Sequence, residues 1–277
     1  MFRIMGVVNV TPDSFSDGGA FLDRDAAVRH GLRLAFEGAH LLDIGGESTR
    51  PGADPVSERE ELDRVIPVIE GIRAENGDVR VSIDTSKAAV AAAALDAGAD
   101  YVNDVSALRG DPDMAALVAE RGVDVCLMHM LGTPRTMQSE ARYDDVVADV
   151  KAFLAARIEA ATAAGIAPER IAIDPGIGFA KTIDHNLELL DRLRELTELG
   201  HPIVLGTSRK SFLGTITGRE TAERVPATLA TVVMGYERGA EVFRVHDVAP
   251  ARDALAVAAA TLARGWPTTP RTTTTTT

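Results

Sequence analysis

Cysteine, aromatic residues and basic residues are all scarce in this sequence, and each scarcity narrows the possible functions. Cys126 is the only cysteine among 277 residues, so no internal disulfide can form and a reducing cytoplasm suits the chain. Aromatic residues make up only 4%, which leaves small aliphatic residues to fill the core. Acidic residues outnumber basic ones by 41 to 29, for a net charge of −12. That charge disfavours nucleic acid and anionic membranes as partners.

Long apolar runs are missing as well. No uninterrupted run reaches the roughly 18 residues that a membrane span needs. Residues 1–4 lead directly into a strand-like segment without a secretory-signal pattern. We therefore expect a cytoplasmic protein.

Short apolar runs alternate with longer helical patterns eight times along the chain. With 45% apolar and 25% charged residues, the composition is that of a globular protein with a sizeable core. Strand–helix repetition of this kind predicts parallel strands joined by right-handed crossovers. The predicted strands are Ile4–Val8, His40–Ile44, Val79–Ile83, Tyr101–Asn103, Val123–Met128, Ile171–Ile173, Ile203–Leu205 and Glu241–Val245.

The segments between the strands are rich in Ala and Leu at helical spacing. The clearest predicted helices are Asp25–Glu37, Glu58–Arg73, Lys87–Ala97, Asp145–Ala164, Asn186–Leu199 and Ala222–Arg238. Several close on a glycine, which favours left-handed C-caps at Gly38, Gly98, Gly165, Gly200 and Gly239. No linker interrupts residues 1–266, so we predict one domain there. Residues 267–277 end in six threonines, and we expect a disordered tail.

Polar residues stand at or just past the carboxyl end of every predicted strand. They are Asn9, Asp43, Asp84, Asn103, His129, Asp174, Ser208, and Arg244 with His246. In a closed barrel all these strand ends converge on one mouth, where such residues form a single site. An open doubly wound sheet would concentrate function at one switch point instead. The pattern therefore favours a single (β/α)8 barrel, the TIM barrel.

The motifs at these strand ends suggest recognition of a polar ring and an anion. A lone buried Asp84, Asn103 or Asp174 would usually cap or bond the backbone, but together they suit a heterocycle with an amidine-like edge. The loop Asn9–Gly19 is either a polar turn or a substrate loop, while Gly45–Gly52 carries Arg50, a planar donor for a carboxylate or phosphate.

Basic residues follow the last two strands. Arg209-Lys210-Ser211 precedes a short predicted helix, and Arg244 and His246 end strand eight on one face. This position in a barrel favours a phosphorylated ligand. Cys126 is expected to be a buried strand residue, and no role is assigned to His129.

In these motifs the sequence resembles the dihydropteroate synthase family, the pterin-binding enzymes of folate biosynthesis that sulfonamides target. The similar blocks follow the family's order to about residue 264: Asn9–Gly19, Gly45–Gly52, Ser82–Lys87, Asn103–Val105, Leu127–Met130, Asp174–Lys181, Ser208–Gly214 and Arg244–Asp247. The resemblance implies a transferase that condenses 6-hydroxymethyl-7,8-dihydropterin pyrophosphate with p-aminobenzoate to 7,8-dihydropteroate and pyrophosphate. It also implies a homodimer, to which residues 254–263 could offer an apolar face.

The resemblance further implies roles for individual residues. The pterin ring would be held by Asp84, Asn103, Asp174 and Lys210, in a pocket lined by Met128, Gly206 and Phe179. The pyrophosphate would be received by Asn9, Arg244 and His246, with Asn9 also acting on a Mg2+ ion. The p-aminobenzoate pocket would be formed by Phe15, Thr49, Arg50, Pro51 and Ser211. The residues implied in catalysis are Lys210, Arg244, His246 and Asp84.

Two other functions stay open. A pterin-binding methyltransferase domain would share the fold and the pterin contacts, but it would need no pyrophosphate site, so Lys210, Arg244 and His246 argue against it. A non-catalytic paralogue should have damaged loops or lost basic residues, and both are intact here. For the synthase, the residues suit an SN1-like loss of pyrophosphate assisted by Mg2+, because an arylamine needs no strong base to act as a nucleophile.

Overall fold

A computed structural model gives the structure of the protein and describes residues 2–11, 19–48, 52–133 and 135–263, without the side chains of 19–23. Its eight strands all pair in parallel. They are β1 (Arg3–Asn9), β2 (Leu41–Gly45), β3 (Arg80–Asp84), β4 (Tyr101–Asp104), β5 (Asp124–Met128), β6 (Ile171–Asp174), β7 (Val204–Leu205) and β8 (Val242–Val245). Each predicted strand is found with its ends shifted by one residue or less.

The strands form a nearly closed barrel. Their order in the sheet is β6-β5-β4-β3-β2-β1-β8-β7. A parallel bridge between Ile173 and Ile203 joins the two remaining edges, β6 and the start of β7. The predicted single (β/α)8 barrel is therefore confirmed.

Helices follow the strands around the outside of the barrel. In the described ranges they are α1 (Gly19–Glu37), α2 (Glu58–Glu75), α3 (Ala88–Asp96), α4 (Met114–Arg121), α5 (Val146–Ala163), α6 (Ile183–Asp191), α7 (Ser211–Thr217), α8 (Val225–Glu237) and α9 (Val248–Leu262). The glycines predicted to end helices have positive φ, for example 109° at Gly38 and 98° at Gly239. In this part of the chain no helix is long and apolar enough to cross a bilayer.

One predicted helix is wrong. The segment Asn186–Leu199 is divided, because α6 ends at Asp191 and a 3-10 helix runs over Leu193–Leu199. The leucines of the second part, Leu193, Leu196 and Leu199, recur every third residue. A 3-10 helix has three residues per turn, so this spacing puts them all on one face, and Leu193 and Leu196 are fully buried.

The inside of the barrel has an apolar floor and a polar mouth. Seven strands each contribute one residue to a separate apolar cluster that consists of Met5, Leu41, Tyr101, Cys126, Ala172, Val204 and Val242. Side chains two positions apart on a strand face the same way. The next inward positions toward the carboxyl ends therefore include Asp43, Asn103, Asp174 and Arg244, and Asp84 is level with Asn103. Strand periodicity thus collects the charged residues at the mouth.

Candidate active site

Arg244 lies at the centre of the polar mouth, between two aspartates from other strands. Its Nε donates to Asp43 Oδ2 at 2.6 Å, and its Nη2 donates to Asp84 Oδ2 at 2.7 Å. Both carboxylates raise the pKa of Arg244 against the effect of burial, so the guanidinium stays charged. Asp84, predicted for the pterin ring, and Arg244, predicted for the pyrophosphate of the same substrate, are in direct contact.

Asp43 has a larger role than the sequence indicated. It is fully buried, and it accepts hydrogen bonds from Ser82 Oγ at 2.6 Å and from Asn103 Nδ2 at 3.1 Å as well as from Arg244. One carboxylate thus orients an amide and a guanidinium on opposite sides of the mouth. Its place among the polar strand ends was the available signal, but its partners depend on the barrel closing.

Burial shifts the protonation of the site carboxyls. It raises the pKa of Asp84 to about 7, against the opposing charge of Arg244, and the nearby Asp43 adds to the shift. Burial also raises the pKa of Asp174, while the cations of Lys210 and Arg244 oppose the change. Raised pKa values in a cleft are typical of functional sites.

Lys210 lies directly before α7, and its charge interacts with that of Asp174. Its ammonium donates to the carbonyl of Ile177 and lies 4.7 Å from the centroid of the Phe179 ring. Burial lowers the pKa of Lys210 to about 8, and the charge of Asp174 opposes the shift. Asp174 Oδ1 accepts from the backbone N–H of Gly176 at 2.7 Å, which fixes the carboxyl. Three predicted pterin residues therefore meet here.

The end of β8 differs from expectation in two respects. β8 stops at Val245, so His246 lies beyond the strand, and its Nδ1 is 3.0 Å from Ser208 Oγ. Strand alternation alone therefore does not determine the position of His246 relative to Arg244, and the predicted alignment stays a prediction. Arg209 is the other difference, because its guanidinium forms two hydrogen bonds with Asp247, at 2.9 and 2.5 Å. Of the predicted basic pair, Lys210 is the residue whose charge acts on Asp174.

The other predicted residues divide into three groups. Met128 is buried at the end of β5, and a Cβ on Gly206 would lie 3.8 Å from both Asp174 and Arg244, so both border the pocket. Asn9 is half-buried at the end of β1, and Ser211 is exposed at the start of α7. Outside the described residues lie Phe15, Thr49, Arg50 and Pro51.

A cavity of about 290 Å3 opens beside Asp84 on the side of the second loop, where Glu47, Ser48 and Arg109 line it. Glu47, at the start of this loop, is held in place because Lys87 Nζ donates to Glu47 and to the buried Glu61 at 2.5 Å each. The mouth therefore has room next to Asp84 for part of a ligand.

The donor set suits a Mg2+ ion held mainly by its ligand. Among the described residues, no three His, Cys, Asp or Glu side chains cluster in a way that could bind a metal. Asn9 offers an amide oxygen at the mouth, and Mg2+ bound to phosphates often takes only one or two protein ligands.

Comparisons with known proteins agree with this geometry. The family model described as pterin binding enzyme matches residues 5–246. The dihydropteroate synthase of Mycobacterium leprae is 49% identical, with 95% of this chain and 94% of that protein covered. A structure of Xanthomonas albilineans dihydropteroate synthase with 4-aminobenzoic acid is 52% identical over 95% of this chain and 93% of that one, with a TM-score of 0.89. The same enzyme in complex with 7,8-dihydropteroate is 50% identical over 95% of this chain and 94% of that one, with a TM-score of 0.86.

Proposed function

The chain belongs to the dihydropteroate synthases of the pterin-binding enzyme family, and we propose that it joins 6-hydroxymethyl-7,8-dihydropterin pyrophosphate to p-aminobenzoate. The observation that carries this proposal is the polar mouth, where Asp84, Asn103 and Asp174 share one space with Lys210 and Arg244. The family's transferase activity needs these two kinds of group side by side, one for a ring and one for an anion.

The pterin ring binds deepest in the mouth. Its amidine-like edge donates to the carboxylate of Asp174, which the Gly176 N–H holds in place. Lys210 donates to the ring from the opposite side, with Phe179 beneath it. Hydrogen bonds that involve a charged partner contribute about 1.5–3 kcal/mol each. Phe179 and Met128 supply the apolar surface for the faces of the ring.

The pyrophosphate binds toward β8. Arg244 has five N–H donors, so it can hold Asp43 and Asp84 and still donate to a phosphate oxygen. His246 stands on the same side, oriented by Ser208. Asn9 would hold a Mg2+ ion that arrives with the pyrophosphate, and such an ion, when bound, neutralises charge on phosphate oxygens.

The reaction exchanges one bond for another. The bond between the pterin methylene carbon and the pyrophosphate oxygen breaks, and the electron pair leaves with pyrophosphate. Arg244 and His246 stabilise the charge that develops there. The amine nitrogen of p-aminobenzoate then bonds to the carbon and releases a proton to solvent. The carboxylates of Asp84 and Asp174 stabilise the transient cation, so the order is dissociative and SN1-like.

Two further features belong to the proposal. We place the reaction in the cytoplasm, which the single cysteine supports. We also propose a homodimer through α9, because Val257 and Leu262 expose 66% and 53% of their surface there. Sedimentation of the purified chain at twice the monomer mass would support the dimer, and sedimentation at the monomer mass would contradict it.

The decisive experiment measures pyrophosphate release by the purified protein from dihydropterin pyrophosphate and Mg2+, with and without p-aminobenzoate. We expect sustained release only with both substrates, inhibition by a sulfonamide, and loss of turnover in Lys210→Met. Lys151→Met is the matched control, since Lys151 pairs with Glu198 at 2.6 Å on the outer surface. It should keep wild-type turnover.

Single-turnover rates test the order of bond breaking. A rate that stays constant as the p-aminobenzoate concentration rises would support the dissociative route, and a proportional rise would contradict it. Tight pterin binding without any turnover would overturn the synthase proposal and favour a methyltransferase or a non-catalytic paralogue.

A further inference from the structure

We propose that Lys181 and His129 form a buried positioning pair that holds the loop 175–180 in the shape that binds the pterin ring. The inference rests on the proposed function, because it assigns the pair to the substrate pocket of that reaction. Neither residue has a part in the chemistry described above.

The two side chains meet beneath the loop, away from solvent. Lys181 is 3% exposed and His129 is 1% exposed. Lys181 Nζ lies 2.9 Å from His129 Nδ1 and donates to the carbonyl of Phe179 at 3.0 Å. One ammonium thus ties the end of β5 to the backbone of the loop.

The backbone of the loop is in close contact with the backbone of His129. The N–H of His129 donates to the carbonyl of Asp174 at 2.9 Å. Gly176 has a φ of 68°, and a Cβ there would lie 1.9 Å from the carbonyl oxygen of His129. Ala180 also has a positive φ, of 50°. Such backbone shapes persist only where the surroundings enforce them, and the pair supplies part of that enforcement.

Other contacts hold the loop from outside. Tyr143 Oη donates to the carbonyl of Ala180 at 2.8 Å, and Gln138 donates to the carbonyl of Gly178 at 3.0 Å. The Tyr143 ring also lies 5.9 Å from Lys181 Nζ. Within this group Lys181 is the residue that can carry a charge, and a charged donor forms a stronger hydrogen bond than a neutral one.

The loop also determines the position of the Lys210 side chain. Lys210 donates to the carbonyl of Ile177, and its Nζ stands over the Phe179 ring. A Cβ on Gly178 would lie 3.0 Å from Lys210 Cδ, so the backbone and the lysine stem are in close contact. A shift of the loop would therefore displace both Lys210 and Asp174, the two groups that face the ring.

The protonation of the pair fits this role. Burial lowers the pKa of His129 to about 2, with the cation of Lys181 adding to the shift, so the ring is neutral and its Nδ1 can accept. Burial lowers the pKa of Lys181 to about 7, against the attraction of Asp174. A buried ammonium is costly, and its charge favours the ionised Asp174 that the pterin requires.

The test separates the two substrates. We expect Lys181→Met to raise the KM and the Kd for the dihydropterin pyrophosphate at least about tenfold, while the KM for p-aminobenzoate stays within about twofold. His129→Leu should act similarly. His129→Asn places an oxygen near the position of Nδ1, so it should restore pterin affinity. In the double variant the two losses should not add, because they break the same contact.

Folding and function are kept apart by measuring pterin binding calorimetrically on variants whose circular dichroism matches the wild type. If Lys181→Met does not fold, the difference in pterin affinity between His129→Leu and His129→Asn tests the inference without it. Pterin affinity that is unchanged in these variants, or lost equally in His129→Leu and His129→Asn, would overturn the inference. A wild type that binds pterin but does not turn over would instead refute the synthase activity and leave this binding test valid.

Discussion

The guanidinium of Arg244 and the carboxylate of Asp43 meet at 2.6 Å although 201 positions separate the two residues in the chain. β8 and β2 lie on either side of β1 in the barrel. The pair therefore reaches across β1, and it exists only when the last strand of the barrel has paired with the first. Asp43 also binds Ser82 and Asn103, so it joins residues of three strands at one carboxylate.

Asp43→Asn should weaken both folding and catalysis. The change takes a fully buried carboxylate from Arg244, whose side chain is 24% exposed and keeps Asp84 as a partner, so the cost should lie at the lower end of the range for buried pairs, about 3 kcal/mol. We expect that loss in urea unfolding and at least a tenfold fall in kcat/KM for the dihydropterin pyrophosphate. Asp100→Asn is the control, because Asp100 pairs with Arg73 and Arg80 at the opposite end of the barrel. Equal kinetic loss in both variants would contradict a specific role for Asp43.

The activity should fall as the pH rises through about 8. The pKa of Lys210 is lowered to about 8 by burial, so its ammonium is present below that pH and is lost above it. Since kcat/KM reports the free enzyme, we expect a decrease of about tenfold per pH unit on the alkaline side. Lys210→Arg keeps its charge, so it should be less active overall and lack the part of this decrease that is centred near pH 8. An alkaline decrease at the same pH in both proteins would assign it to another group.

Gly176→Ala should be far more harmful than Gly200→Ala. Both glycines have positive φ, 68° and 75°, but a Cβ on Gly176 would lie 1.9 Å from the His129 carbonyl oxygen, whereas a Cβ on Gly200 would meet nothing within 4 Å. We expect about 1 kcal/mol of lost stability at Gly200 and at least 3 kcal/mol at Gly176. Urea unfolding measures both, and similar values would contradict the close approach.

Removal of Mg2+ should stop pyrophosphate release, and Asn9→Ala should raise the Mg2+ concentration for half-maximal activity at least about tenfold. The reason is that Asn9 offers an amide oxygen at the mouth. Asn76→Ala is the control, because the amide oxygen of Asn76 accepts from the N–H groups of Asp78 and Val79, before the start of β3. Undiminished release in EDTA would refute a role for the ion.

Local patterns predicted the strands and the inward-facing residues well. Apolar runs placed each strand to within one residue, and the period of two carries Asp84, Asn103, Asp174 and Arg244 into one mouth. The family resemblance implied that these residues belong to one site, and the structure brings them together at the mouth of the barrel.

Patterns in the local sequence do not predict which distant residues contact each other. Nothing local indicated that Arg209 is engaged by Asp247 or that Asp43 orients Arg244, because both contacts depend on how distant strands meet. The three-residue spacing of Leu193, Leu196 and Leu199 is present in the sequence and indicates a 3-10 helix, but Asn186–Leu199 as a whole also fits an α-helical pattern. The Lys181–His129 pair likewise joins two loops that are adjacent only in the folded barrel.

The apolar floor of the barrel has a kinetic consequence. Because Met5, Leu41, Tyr101, Cys126 and their neighbours fill the interior below the polar residues, the pocket is closed on the side of the barrel floor. Whatever occupies the deepest position has to arrive before the group that sits above it. In the proposed reaction we therefore expect the pterin substrate to bind first and p-aminobenzoate second, and the joined product to leave by the same route.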